Sequence, residues 1–322
     1  MANNYAENWL KDKKNPFVIE LGSNDGTMLK HIAKRGIRCL GVEPSKNVAD
    51  VAVKNGVNTK VCFFNDKTAQ EICNEYGKAD LISVANVHFA YMNEVAMGVK
   101  ALLKEDGVFV FENPYLGNVI ENVAYDQIYD EHSYIFSLKS VSYIFEQVGM
   151  EVFHIEPQVT HGGSMRYYIG SKGTHKKDKS VIDQFAKENN VLKLGDVETY
   201  RRFAKNCEQR KQELVTLLKN LKQQGKRVVG YAATAKSTTV LNYCGIGPDL
   251  ISCIYDTTPI KQNKFSPGMH IPVKPYTKDW YKEADCAVLF AWNHAKEIFA
   301  KENEFKQNGG LWILFMPHVH CE

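Results

Sequence analysis

The sequence predicts an α/β protein with two successive parallel-sheet units, the second smaller than the first, on three observations. An apolar run, Phe17-Val18-Ile19, passes through Glu20 into a glycine turn, Gly22-Ser23-Asn24-Asp25-Gly26, and then into a helical stretch. Short β-type runs alternate with helical stretches through the first half, as a parallel sheet with helical crossovers requires. A second alternating series begins at Arg227, after a charged helical stretch.

The elements follow in order. Strands are expected at Phe17–Leu21, Arg38–Glu43, Thr59–Phe63, Leu81–Ala85 and Gly107–Glu112, with helices between them such as Thr27–Arg35 and Ala69–Tyr76. A helix over Leu138–Val148 precedes two more strands, Glu151–Glu156 and Met165–Gly170. The Lys-, Gly- and Ser-rich stretch Ser171–Ser180 reads as a linker. In the charged stretch up to Gln224, Tyr200, Phe203, Cys207, Leu214, Leu217, Leu218 and Leu221 fall on one face of a long helix. The second unit is expected to use strands Arg227–Tyr231, Ile251–Asp256, Ala287–Ala291 and Leu311–Phe315, with a helix from about Ser237. The expected division is therefore 1–172, a linker with helices over 173–224, and 225–322.

Composition narrows the class of function. The chain of 322 residues is 44% apolar and 24% charged, as in a soluble globular protein, and is long enough for two cores. Its 40 Lys+Arg against 37 Asp+Glu give a net charge of +3, too balanced to point to nucleic acid or a membrane surface. No apolar run approaches the ~20 residues of a spanning helix, and the polar start MANNYAENWLKDKKN does not read as a signal peptide. The eight cysteines are scattered without a CxxC pair, which suggests free thiols of a cytoplasmic protein and no metal site.

The first turn, ELGSNDG, resembles the first motif of class I S-adenosylmethionine (SAM) methyltransferases. That resemblance implies SAM as cofactor and a Rossmann-like seven-stranded methyltransferase sheet, followed here by the smaller Rossmann-like α/β domain. Glu20, Gly22, Asn24, Asp25 and Gly26 would bring backbone and carboxylates against a methionyl and ribose group, which suits a cationic sulfonium better than a pyrophosphate. Glu43, 23 residues after Glu20 at the end of the second strand, is suited to accept from both ribose hydroxyls. Phe63 and Phe64 fit either an adenine sandwich or plain core packing. Asn86 follows the fourth strand, at the carboxyl edge where ligands bind in such sheets.

Tyr129-Asp130-Glu131-His132 lies just beyond the fifth strand, expected on the cofactor side of the sheet. Histidine titrates near neutrality, and a neighbouring carboxylate can hold its tautomer and raise its basicity, as proton abstraction beside a ketone demands. In order, ELGSNDG, ENPYL, YDQIYDEHSYIFSL, HGGSMR, GYAATAKSTTVLNYCGI, YDTTPIKQNKFSPGMHIPV and AWNHAKEI resemble the sugar C-methyltransferases of deoxysugar biosynthesis, from about residue 15 to 317. The resemblance implies methylation of the carbon beside the keto group of a nucleotide-linked keto-deoxysugar. His132 would be the general base, with Tyr129 and Glu131 orienting it or the sugar; Asp130 replaces a family histidine.

Three departures accompany the resemblance. The family's amino-terminal zinc module is built from cysteine pairs, which this chain lacks. A histidine usual four residues after the fourth-strand asparagine is Ala90 here, with His88 two residues early. The glycine-rich GxGAxAKGNT becomes Gly230-Tyr231-Ala232-Ala233-Thr234-Ala235-Lys236-Ser237-Thr238. Lys236 and the hydroxyl-rich helix start after it still make an anion site for a nucleotide diphosphate, or else a Rossmann-like unit kept for packing. His161, Gly163 and Ser164 would let backbone approach the sugar. Arg166 would meet a phosphate or Glu131, or be a strand surface residue; Asn293, with Trp292, ends a strand at the expected crevice. Alternative readings are O-methylation of a sugar nucleotide or glycan, and a non-catalytic nucleotide-sugar-binding protein.

Overall fold

A computed structural model describes residues 6–87, 89 and 91–322. Contacts divide the chain into two compact units, Met1–Leu116 with Ser133–Gly195, and Gly117–His132 with Asp196–Glu322.

The first unit is built on seven strands: β1 (Phe17–Leu21), β2 (Arg38–Val42), β3 (Thr59–Lys60), β4 (Ala79–Ala85), β5 (Leu103–Pro114), β6 (Met150–Gln158) and β7 (Ser164–Ser171). Their order is β3-β2-β1-β4-β5-β7-β6, and β7 alone runs antiparallel to its neighbours. Phe17, Val18 and Ile19 are all buried because β1 is central and covered on both faces, the usual reason for an unbroken apolar run in a parallel strand. Ile19, Ile82, Phe109 and Phe111 face helices Asp66–Tyr76, Met92–Leu102 and Leu138–Glu146. Val18, Leu81, Val108 and Val110 pack with Leu29 and Ile32 of helix Leu29–Ala33.

Local chemistry sets the boundaries. Helix Asp66–Tyr76 starts three residues before the expected Ala69 because Asn65 caps it: its side chain accepts from Thr68 N–H and its own N–H donates to the Thr68 hydroxyl. The third strand was expected to reach Phe63 but pairs with β2 only through Lys60, where β2 ends and the chain turns at Glu43. Helix Leu138–Glu146 has its first N–H groups held by a buried acid: Glu188 accepts from Leu138 N–H at 2.7 Å and Lys139 N–H at 3.1 Å, and from the Tyr115 hydroxyl at 3.0 Å. That contact, with Val181 buried on helix Lys179–Ala186, makes residues 179–191 part of the first unit, although the expected division places them in the linker with helices over 173–224.

The second unit carries β8 (Val228–Tyr231), β9 (Ile254–Asp256), β10 (Lys264–Phe265), β11 (Pro272–Pro275), β12 (Cys286–Leu289), β13 (Leu311–Leu314) and β14 (His320–Cys321). The order is β10-β11-β9-β8-β12-β13-β14, with the five inner strands parallel and both edges antiparallel. β10, β11 and β14 add to the four strands legible in the sequence. Helix Val197–Gln223 buries Cys207, Leu214, Leu218 and Leu221 against this unit, with Phe203 and Leu217 at the margin, whereas Tyr200 is exposed. Val123, Ala124 and Tyr125 belong to the same core, so the segment leading to His132 is part of the second unit although it joins two strands of the first sheet.

Candidate active site

The first unit gathers the turn residues at the carboxyl edge of β1. Gly22 has φ +67°, and a Cβ there would lie 2.3 Å from a Val87 methyl, so glycine is demanded by both backbone and space. Asn24 is exposed, also with positive φ, and its N–H donates to Glu43 Oε2 at 3.0 Å. Glu43 is buried; its other oxygen accepts from Ser45 N–H at 2.9 Å. One lone pair on each oxygen is thus used to brace the turn, and the rest can take further donors. Asp25 accepts from Thr27 N–H and hydroxyl, and the hydroxyl bond holds its carboxyl below the usual range. Gly26 is buried with φ +77°.

Several buried oxygens at this edge have no hydrogen-bond partner among the described residues: Glu20 Oε2, Ser23 Oγ, Ser83 Oγ and Asn86 Oδ1. Glu20 stands opposite Gly41 on one side and Ser83 on the other. Burial, and then the charge of Asp25, push its carboxyl up to about 8. Buried unpaired acceptors are costly and call for donors from a ligand; a cationic, amine-bearing group fits them. Beside the turn lies a cavity of about 380 Å³ walled by Val42, Pro44, Phe63, Phe64, Val87 and Phe89, within the ~300–1,000 Å³ range of small-molecule sites. Phe64 is half-buried, its ring packed where helix Met92–Leu102 has Gly98: a Cβ there would come within 3.1 Å of the ring. Phe63 is 77% exposed and lines the same cavity, which argues against a plain core pair.

The raised Glu20 carboxyl has a sign that can be tested. A folded-state value above the unfolded one contributes stability that is full below about 4.5 and is lost as pH rises through about 8. Glu20→Gln should therefore melt higher than the parent at pH 8, by on the order of 2–4 kcal/mol in stability, and nearly level with it at pH 4.5. The same variant should bind SAM more weakly by calorimetry. A stability difference that does not change with pH would contradict this.

At the carboxyl end of β5, Thr160–Gly162 forms a tight turn with His161 at φ +55°, and Gly163 follows at φ +129°. Gly163 carbonyl accepts from Tyr115 N–H, and the buried Ser164 hydroxyl donates to Thr160 carbonyl. Arg166 differs from the sequence expectation. It is buried on β7 between β5 and β6, and its guanidinium bonds Glu112 at 2.7 and 2.9 Å, Glu156 at 3.0 Å and the Gln158 side-chain oxygen at 3.2 Å. Its charge is neutralised inside the sheet, which corrects the reading of Arg166 as a phosphate ligand. His88 and Ala90 lie outside the described residues.

In the second unit, His132 is buried and its Nδ1 lies 2.7 Å from the Gln127 backbone carbonyl. A carbonyl only accepts, so Nδ1 carries a proton, and in the neutral ring the lone pair is on Nε2. The Tyr129 hydroxyl reaches Nε2 at 2.8 Å and donates to it. Burial, then the charges of Glu131 and Asp126, push the phenol up to about 12, so it stays protonated. Glu131 and Asp130 are exposed. The expected tautomer-holding carboxylate is thus supplanted by a backbone carbonyl, which no side-chain pattern advertises.

Lys236 is buried on helix Ala235–Cys244, with Nζ 3.4 Å from Asn293 Oδ1 and 5.2 Å from the Trp292 ring centre. Burial lowers its ammonium below the usual lysine range, against the pull of Asp126. Thr234 caps the helix through Ser237 N–H. Ala232, where the resemblance expects glycine, takes φ +73°, a strain of about 1 kcal/mol for a residue with a Cβ. Asp126 and Gln127 were not singled out in the sequence; the Asp126 carboxylate, bonded by Trp292 Nε1 at 2.6 Å, is what the folded unit adds. Among the described residues no three His, Cys, Asp or Glu side chains are grouped to hold a metal ion.

A seven-stranded sheet of this order, with a glycine turn and a buried acid at its carboxyl edge, fits the class I SAM-dependent methyltransferases. The comparisons agree and go further. Residues 1–155 match a methyltransferase domain family and residues 159–317 a C-methyltransferase C-terminal domain family. The chain is 34% identical to C-methyltransferase NovU of Streptomyces niveus over 302 residues, 93% of this chain and 72% of that protein. It therefore belongs to the C-methyltransferase family, and its cofactor is S-adenosylmethionine. Among solved structures, a SAM-dependent methyltransferase from Anabaena variabilis is 14% identical with a TM-score of 0.43, over 53% of this chain and 83% of its own. Magnesium protoporphyrin IX methyltransferase from Synechocystis, with bound SAM, is 13% identical with a TM-score of 0.38, over 53% and 78%.

Proposed function

We propose that this C-methyltransferase acts on the carbon beside the ketone of a nucleotide-linked keto-deoxysugar, with His132 Nε2 as general base. The observation that supports this most directly is the fixed tautomer. Gln127 carbonyl holds the Nδ1 proton, which leaves a lone pair on Nε2 next to a neutral phenol. Bound S-adenosylmethionine supplies the electrophilic methyl group. His132 takes the proton alpha to the ketone, and the carbon left with the electron pair is the nucleophile. Tyr129 orients the base until substrate binds, then gives up its bond to Nε2 and turns to the sugar, while Glu131, in solvent, accepts a hydrogen bond from a sugar hydroxyl.

In this reading the first unit is the cofactor domain. Glu43 accepts the ribose hydroxyls, Phe64 packs on adenine, and Glu20 and Asn86 accept from the methionyl ammonium, with Gly22, Asn24, Asp25 and Gly26 shaping the turn. Backbone at His161, Gly163 and Ser164 approaches the sugar. The second unit is the nucleotide-sugar domain, with Lys236 and Asn293 facing the diphosphate. Arg166 has no ligand role.

The test is a SAM-dependent assay against a panel of keto nucleotide sugars with mass detection, alongside deuterium exchange without SAM. One sugar should gain a single CH₂ unit and exchange the proton alpha to its ketone. Methylation on oxygen without exchange, or no keto-sugar accepted, would overturn the proposal.

A further inference from the structure

Asp126 is the most deeply buried acid of the second unit, at 0% exposure. Its Oδ2 accepts the Trp292 indole N–H at 2.6 Å, and among the described residues its Oδ1 has no partner within hydrogen-bond geometry, though the Asp126 and Gln127 backbone N–H groups lie near the carboxyl. Burial raises its carboxyl, and the Lys236 ammonium opposes that rise. A buried carboxylate with an unpaired oxygen costs several kcal/mol, and an apolar side chain would fill the space with none of that cost. Plain packing therefore does not account for an acid here.

What Asp126 does is legible from its neighbours in the chain. Tyr125, Asp126 and Gln127 make one tight helical turn, closed by Gln127 N–H to Ala124 carbonyl and Ile128 N–H to Tyr125 carbonyl, both at 3.1 Å. On one side the turn is pinned by Tyr125, which packs in the core with its hydroxyl 3.6 Å from Cys244 Sγ. On the other side it is pinned only one residue before the Gln127 carbonyl, by the Trp292 bond. That carbonyl decides which nitrogen of His132 carries the proton.

We infer that Asp126 and Trp292 are a positioning pair for the base: their hydrogen bond fixes the turn whose Gln127 carbonyl sets the orientation and tautomer of His132. The inference rests on the reading of His132 as base, and it assigns Trp292 a role other than core packing. Asp126 is a positioning residue; nothing requires it to touch substrate. Tyr125, Tyr129 and Lys236 are the other ionisable groups in its field.

The experiment uses the full chain labelled with ¹⁵N-histidine. In the parent, His132 should show the Nδ1–H tautomer. Trp292→Phe removes the indole N–H and keeps an aromatic ring; it should give a mixture with the Nε2–H form and a kcat lower by about tenfold or more, the worth of a charged hydrogen bond. SAM affinity, measured by calorimetry, should not change. Asp126→Asn keeps an acceptor and loses the charge, so its effects should run the same way and be smaller. That variant carries the test alone if Trp292→Phe does not fold. Parent-like tautomer and kcat in a folded variant would overturn the inference. His132→Ala separates the two readings. Normal turnover in that variant defeats the base assignment, whereas lost turnover with an unmoved tautomer in Trp292→Phe defeats only the positioning pair.

Discussion

His132→Ala should lower turnover about 10²–10⁴-fold while SAM affinity by calorimetry stays at the parent value. The size follows from the step assigned to it: without a base, the proton alpha to a ketone leaves only to water. The invariance of SAM binding follows from where the residues proposed to hold the cofactor stand. Glu20, Gly22, Glu43, Phe64 and Asn86 all belong to the first unit, and His132 to the second. Burial of the ring and its two short hydrogen bonds make the alanine variant lose a chemical group, not only a surface side chain. Glu131→Gln should act in the same direction but less, since Glu131 is exposed and screened. Near-parent turnover in His132→Ala would move the chemistry elsewhere, with His88 the next candidate from the sequence.

Arg166→Ala should destabilise the protein by about 3–5 kcal/mol, measured by urea unfolding at pH 7. Arg166 and Glu112 are 8% and 3% exposed, on neighbouring strands in direct register, and Glu156 stands opposite on the other side. Removing the arginine leaves the Glu112 carboxylate buried without its cation, and that uncompensated charge dominates the cost. Arg166→Met combined with Glu112→Gln should recover part of the loss, because the orphaned charge is then gone. A phosphate ligand would behave otherwise: Arg166→Ala would keep its unfolding midpoint and lose only substrate affinity. That outcome would restore the reading of Arg166 drawn from the sequence.

The sequence by itself determined the first sheet and its cofactor edge. An unbroken apolar strand, a turn that needs positive φ at Gly22 and Gly26, and an acid at the end of the next strand are local features, and local sterics and burial dictate their residue types. The start of the helix at Asp66 was local too, since Asn65 and Thr68 cap each other reciprocally within four residues. The early end of β3 needed the fold, because strand length depends on the partner's length. The segment proposed as catalytic marks the sharper limit. Tyr129 and His132 were legible as chemistry, but their residence in the second unit was decided by Val123, Ala124 and Tyr125 burying themselves in its core. Arg166, Asp126 and the Gln127 carbonyl were decided the same way. Whether a charged side chain meets a ligand or a buried counter-ion, and whether a backbone carbonyl faces an imidazole, depends on groups far apart in the chain. Arg166 bonds Glu112, 54 positions away, and Trp292 bonds Asp126, 166 positions away. No residue pattern encodes those pairings, because the energy that selects them comes from desolvating both partners together in the packed fold.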